Sequence, residues 1–244
     1  MNLCARFAAF LVIPLFFSSC KKDLGPCTGN CEVVQFSGIA IDPGTQKPLG
    51  GLVVEVDMAK VQNCTFCGPY QVASGKTKGD GTFHFTVKVD TTKVFNTYCQ
   101  ILVEGPSNTI VYAQSTAPGN SLPDPSLHNI EQFANIDSTG VATYCEFDFY
   151  QPVLLTVELH RTTAIPSFDP FLGLDVILSP SNTDAAFLMN ETPANTDTAF
   201  TVYTGANVFT KINSIQWLTD STKERQTDSV YCVPGGNNTI NITY

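Results

Sequence analysis

The sequence predicts an all-β fold of two consecutive β-sandwiches, and three observations predict it. From Val33 onward apolar residues recur with a period of two in short runs, the spacing that lines one face of a half-buried strand. The runs are punctuated by Gly, Pro, Asn and Asp, and no long segment carries the 3.6-residue period of a helix. The chain has 244 residues, and the part beyond residue 32 is long enough for two units of about 100 residues each.

The elements follow in order. Leu52, Val54 and Val56 alternate with Val53, Glu55 and Asp57. Phe83, Phe85, Val87 and Val89 alternate with His84, Thr86 and Lys88. Ahead of that strand, Gly79-Asp80-Gly81 predicts a hairpin turn, since glycine adopts positive φ at no steric cost. Ile101 and Val103 mark another strand. Residues 105–140 are looser, with Pro106, Pro118, Pro123 and Pro125, and hold one candidate helix, 127–135. Strand character returns over 142–150. The boundary falls near Gln151, dividing a first sandwich, 33–150, from a second, 151–244. The second opens on Val153, Leu155, Val157 and Leu159 and continues through 174–178, 199–203, 214–218, 229–233 and 239–244. Many short strands with almost no helix indicate sandwiches.

Within the first unit, Phe36-Ser-Gly-Ile-Ala-Ile-Asp42, Thr45-Gln-Lys-Pro-Leu-Gly50, Leu52-Val-Val-Glu-Val56 and Gly75-Lys-Thr-Lys-Gly-Asp-Gly-Thr-Phe-His-Phe85 form a pattern. It resembles the carboxypeptidase regulatory-like domain, a transthyretin-like sandwich found in surface proteins of the Bacteroidota. That resemblance implies an accessory module with no catalytic residues of its own. The second unit looks Ig-like or transthyretin-like.

The N-terminus reads as a signal peptide, residues 1–19. Arg6 supplies positive charge, an apolar run ends near Phe17, and Ser18-Ser19-Cys20 follows. The run is far short of the ~20 residues a spanning helix needs. Small residues leading into a cysteine resemble the lipobox of bacterial lipoproteins, which implies cleavage before Cys20 and lipid on its sulfur. Cys20-Lys21-Lys22-Asp23 is similar to the start of many Bacteroidota lipoproteins. The implied address is the outer membrane, facing periplasm or cell surface. Residues 20–32, with Gly25, Pro26, Gly29 and Asn30, read as a flexible tether.

Composition narrows the partners. With 13 Lys and Arg against 22 Asp and Glu the net charge is −9, and the basic residues are scattered, which argues against nucleic acid. The expected partners are the membrane, through Cys20, and a protein or glycan ligand. Loops are the usual binding surface, which singles out 105–140 and 180–198.

Seven cysteines follow Cys20: Cys27, Cys31, Cys64, Cys67, Cys99, Cys145 and Cys232. In an exported chain all are disulfide candidates, an odd number leaves one over, and spacing does not fix the connectivity. Cys64-Thr-Phe-Cys67 has C-x-x-C spacing without the strand-to-helix context that activates a thiol. With Cys27 and Cys31 it also has zinc-compatible spacing, but an oxidising compartment favours disulfides over thiolate ligands, so no metal is expected. His84 and His160 fall on outward strand faces and His128 in the loose connector. No Gly-x-Ser-x-Gly or His-Glu-x-x-His occurs, so no catalytic residue or cofactor is assigned. Asp169, Asp175, Asp184 and Asp197 lack the spacing of a calcium loop.

Asp90-Thr91-Thr92, Asp137-Ser138-Thr139, Asp197-Thr198-Ala199, Asp220-Ser221-Thr222 and Asp228-Ser229-Val230 are similar to the O-glycosylation motif of exported Bacteroidota proteins. The acceptors would be Thr91, Ser138, Thr198, Ser221 and Ser229. The competing reading is turn chemistry, each Asp bonding nearby backbone. Together these features point to a non-catalytic module for binding, adhesion or envelope structure. The rivals are an accessory subunit of an uptake or peptidase system, and an enzyme with an unrecognised hydrolytic or thiol site.

Overall fold

The computed structural model describes residues 22–23, 25–61, 68–110, 129–160, 172–179, 184–189, 198–217 and 223–243. Among them are sixteen strands and no α-helix, so the all-β expectation holds.

Nine strands lie before Gln151: β1 (Lys22–Asp23), β2 (Cys31–Asp42), β3 (Lys47–Pro48), β4 (Val53–Met58), β5 (Tyr70–Lys76), β6 (Thr82–Asp90), β7 (Tyr98–Glu104), β8 (Asn129–Asn135) and β9 (Cys145–Asp148). They form two sheets. One runs β1-β5-β4-β7-β8, and the other runs β3-β2-β6 with β9 parallel to β2. The inward residues of each strand meet between the sheets. Phe36, Val54, Val56, Phe83, Ile101 and Phe147 are buried there, with Phe83 and Phe147 tilted at a ring-centroid distance of 6.0 Å.

The Gly79-Asp80-Gly81 turn does not make a hairpin. β5 pairs with β4 while β6 pairs with β2, so the turn carries the chain from one sheet to the other. Gly81 is required there twice over. Its φ is +77°, and a Cβ would lie 2.5 Å from the Ala40 carbonyl oxygen. The candidate helix over 127–135 is also corrected. Residues 129–135 form strand β8, antiparallel to β7, and 127–128 lie outside the described residues. The reason is periodicity. Ile130 and Ala134 face the core while Asn129, Glu131 and Phe133 face out, and β7 offers the ladder that a lone helix would leave unpaired.

Seven strands follow: β10 (Pro152–His160), β11 (Leu172–Ser179), β12 (Asp184–Met189), β13 (Thr198–Gly205), β14 (Val208–Trp217), β15 (Lys223–Cys232) and β16 (Asn238–Thr243). They too form two sheets, β13-β10-β16 and β12-β11-β14-β15. Leu155, Val157, Leu159, Val202, Ile212, Ile240 and Ile242 form their core. Among the described residues no sheet draws strands from both sides of Gln151. A small cluster of Ile110, Tyr150 and Val208 joins the halves, and the Ala206 N–H donates to Gln151 O at 2.8 Å. Gly44 approaches this junction closely, since a Cβ on it would stand 2.2 Å from Ala206 O.

Candidate functional site

Cys20 lies outside the described residues, and the segment after it is fastened to the first sandwich. Lys22 and Asp23 pair with Tyr70 and Gln71. A disulfide joins Cys27 to Cys31. The Thr91 N–H donates to Asn30 O at 3.0 Å, and Asn30 Nδ2 donates to Thr91 Oγ1 at 3.1 Å. Cys31 and Glu32, placed by composition in the tether, already belong to β2.

Three further cysteines, Cys99, Cys145 and Cys232, carry buried free thiols. Burial and the neighbouring Cys145 push the Cys99 thiol up to about 12. Burial likewise raises Cys145. It also raises Cys232, against which a bond from its Sγ to Thr210 Oγ1 acts. The thiolate is the reactive form, so these environments suppress thiol nucleophilicity. Cys64 and Cys67 lie outside the described residues.

Asp80, Asp90 and Asp137 share one local geometry. Each carboxylate Oδ1 accepts the N–H and the hydroxyl of a Thr two residues on, at Thr82, Thr92 and Thr139. The side-chain bond to that Thr is the first cause holding each carboxyl below its usual range. At Asp90 the Lys93 ammonium, 3.5 Å away, adds to it. These are turn-forming carboxylates. Of the candidate glycosylation positions, Ser138 and Ser229 are exposed, Thr198 is half-buried, and the Thr91 hydroxyl is bonded to Asn30. Ser221 lies outside the described residues, as do Asp169, Asp197 and His128. Asp175 and Asp184 belong to β11 and β12.

His84 is exposed on β6, where its Nε2 lies 3.2 Å from Thr86 Oγ1. His160, at the end of β10, has Nε2 3.1 Å from Asn241 Oδ1 and 3.8 Å from Glu158. Among the described residues no three His, Cys, Asp or Glu side chains converge as metal ligands. One carboxylate is unusual. Asp148 on β9 is half-buried, its Oδ1 has no protein partner, and its Oδ2 receives only a long 3.4 Å bond from Tyr150. Burial, then the Glu146 charge, push its pKa up to about 6.

The feature that sequence reasoning missed is an apolar surface on the second half. Phe209 and Tyr231 sit opposite one another on β14 and β15, with rings edge-to-face at 5.2 Å. They are 53% and 47% exposed, and Val233 beyond them is also exposed. Lys211, Ser229 and the bonded pair Asn213–Thr227 continue the same outward face as a polar border. With Thr210, Ile212 and Cys232 buried, strand parity turns their neighbours outward, but which face of β14 is buried is not written in its sequence. On the other sheet, Leu154 and Tyr203 pair in the same outward manner. The loop segments 111–128, 180–183 and 190–197, which cover most of the loops singled out from sequence, lie outside the described residues, and 184–189 is strand β12.

No family model and no curated protein matches the chain. Solved structures similar to it include the Bacillus anthracis TIE protein, at 9% identity and TM-score 0.30, covering 87% of this chain and 34% of that one. The shaft pilin spaA from Lactobacillus rhamnosus GG is similar at 10% identity and TM-score 0.30, over 87% of this chain and 97% of that one. The major pilin SpaD from Corynebacterium diphtheriae is similar at 8% identity and TM-score 0.31, over 82% and 65%. The chain thus spans about a third of the TIE protein's length. Matches at this level carry no argument about fold or ligand.

Proposed function

We propose that this chain is a non-catalytic binding or adhesion module of a bacterial envelope, held to the outer membrane by lipid on Cys20. The observation that carries the binding half of this reading is the Phe209–Tyr231 pair, half-exposed on a sheet whose other face is core. Aromatic rings give large contact area for the loss of only two side-chain torsions. A polar border of Lys211, Asn213, Thr227 and Ser229 supplies hydrogen-bonding groups of the kind that rim an interface. The signal-peptide pattern and Ser19-Cys20 support the anchor. The second sandwich then presents its aromatic face to a protein or glycan, and Ser138, on the first sandwich, stands exposed as an acceptor for O-linked sugar.

The test is retention of the detergent-solubilised full chain on arrays of glycans and of envelope and matrix proteins. The comparison is a double variant, Phe209→Ser with Tyr231→Ser. The reading expects specific retention that the double variant loses with its unfolding temperature unchanged. Binding that survives in the double variant, or no binding to any array, contradicts it.

A further inference from the structure

We propose that Cys99 and Cys145 are disulfide partners, closing a staple between the two sheets of the first sandwich when the chain folds under oxidising conditions. The two residues come from different sheets. Cys99 is on β7, which pairs with β4 and β8, and Cys145 opens β9, which pairs with β2. Both side chains enter the same apolar core, at 0% and 5% exposure.

Strand β8 and the residues just after it bring them together. Cys99 lies directly opposite Ala134 in the ladder. Next to Ala134, Asn135 O accepts both the N–H and the hydroxyl of Thr143, at 2.8 and 3.2 Å. On the far side of Cys145, Glu146 O accepts from Gln132 Nε2 at 2.7 Å. Ile136 closes the corner: its N–H donates to Thr97 O at 2.9 Å, and it bridges to Ala142. Both cysteines are therefore bracketed by bonds to the same short stretch, 132–136, and both side chains point inward from it. The Cys145 charge is also one of the causes that raise the Cys99 thiol, as expected of sulfurs close enough to feel each other's field.

Alternative partners among the described residues are few. Cys27 is bonded to Cys31, and Cys232 lies in the core of the second sandwich against Thr210. Among the described cysteines, that assignment leaves Cys232 alone as a thiol.

The chemistry is thiol–disulfide exchange with a small or enzymatic disulfide as oxidant. One cysteine thiolate attacks the donor disulfide and expels a thiol. The second thiolate attacks the resulting mixed disulfide and expels the other. Two protein thiols and one donor disulfide thus become one protein disulfide and two donor thiols. The native burial of both sulfurs, with their raised thiol pKa values, slows that attack once the sheets have closed. Oxidation therefore belongs to the folding reaction, before the core is sealed.

In the cell the proposal rests on the export reading, because the cytoplasm keeps thiols reduced. The experiment is set so that the two fail separately. The full chain is reduced, unfolded, and refolded in a mixture of reduced and oxidised glutathione. It is then quenched with an alkylating agent in urea, so that buried thiols react as well, and cut with trypsin and a glutamyl endopeptidase. Trypsin alone leaves both cysteines in one peptide, since no Lys or Arg lies between Lys93 and Arg161. Cleavage at Glu104, Glu131 and Glu146 separates them into 94–104 and 132–146.

The expected product is 94–104 joined to 132–146, released by reductant. In Cys99→Ala the Cys145 thiol is alkylated, and in Cys145→Ala the Cys99 thiol is. Reductant lowers the unfolding temperature of the first sandwich by about 10 °C more in the parent than in the double Ala variant, as expected for a bond that closes a loop of this length. Alkylation of both cysteines in the refolded parent overturns the pairing. So does a bond from either to Cys27, Cys31, Cys64, Cys67 or Cys232. Failure of the export reading would instead appear in cells, as an uncleaved chain with Cys20 unacylated, and would leave the refolding result untouched.

Discussion

Replacing Asp148 with Asn should stabilise the protein above about pH 6 and leave it almost unchanged below about pH 4. The carboxyl is half-buried with one oxygen unpartnered, and burial first, then Glu146, raise its pKa from 3.8 to about 6. A raised folded-state value means that the folded chain binds this proton more tightly than the unfolded chain. Between about 3.8 and 6 the folded state therefore holds more protons, and stability falls as pH rises through that window. Above about 6 the cost is complete. Two pH units correspond to about 3 kcal/mol, and partial solvent exposure screens this to about 1–2 kcal/mol. Asn keeps the shape, can still accept from Tyr150, and removes the charge. Urea unfolding at about pH 4 and about pH 7.5 gives the two free energies. A gain of about 1–2 kcal/mol at the higher pH, with little at the lower, is expected. Equal effects at both, or a loss at the higher pH, would refute the burial argument. Glu146→Gln should recover a smaller part of the gain, since Glu146 is the second cause.

Three further outcomes follow from the packing. Phe147→Ala removes a fully buried ring from between the sheets and should cost about 3–5 kcal/mol in denaturant unfolding. Gly44→Ala drives a Cβ into the Ala206 carbonyl; calorimetry should show a loss of about 1–3 kcal/mol or two separated transitions where the parent shows one. Cys232, buried and with its thiol pKa raised, should resist alkylation in the native chain at mildly alkaline pH and react fully in urea.

Much of the fold was legible because period-two patterns survive wherever one strand face is buried. β4, β6, β7 and β10 all fall where their alternation puts them. The errors have physical causes. β5 reads Tyr-Gln-Val-Ala-Ser-Gly-Lys, and its small residues conceal a strand; Gly75 leaves the space that the Phe85 ring fills. β8 looked helical because Glu, Gln, Phe and Ala are tolerant of helix, and the open ladder of β7 decided the matter. The Asp80-Gly81 turn was located correctly, but a turn residue specifies a local backbone shape and not the sheet its flanks will join. Turn chemistry at Asp90 and Asp137 was legible as one of two readings, and the bonds to Thr92 and Thr139 realise it. The Phe209–Tyr231 surface was not, because it depends on which face of β14 is buried. That parity is set by partners across the sandwich.

Intact-mass analysis of the chain extracted from its own membranes tests the proposed lipid-anchored sandwich module most directly. The prediction is a chain beginning at Cys20, heavier than residues 20–244 alone by the mass of its acyl groups, with that mass lost in Cys20→Ser. A mature chain that begins elsewhere, or a Cys20 that alkylates as a free thiol, would contradict the anchor and with it the proposed place of this protein in the envelope.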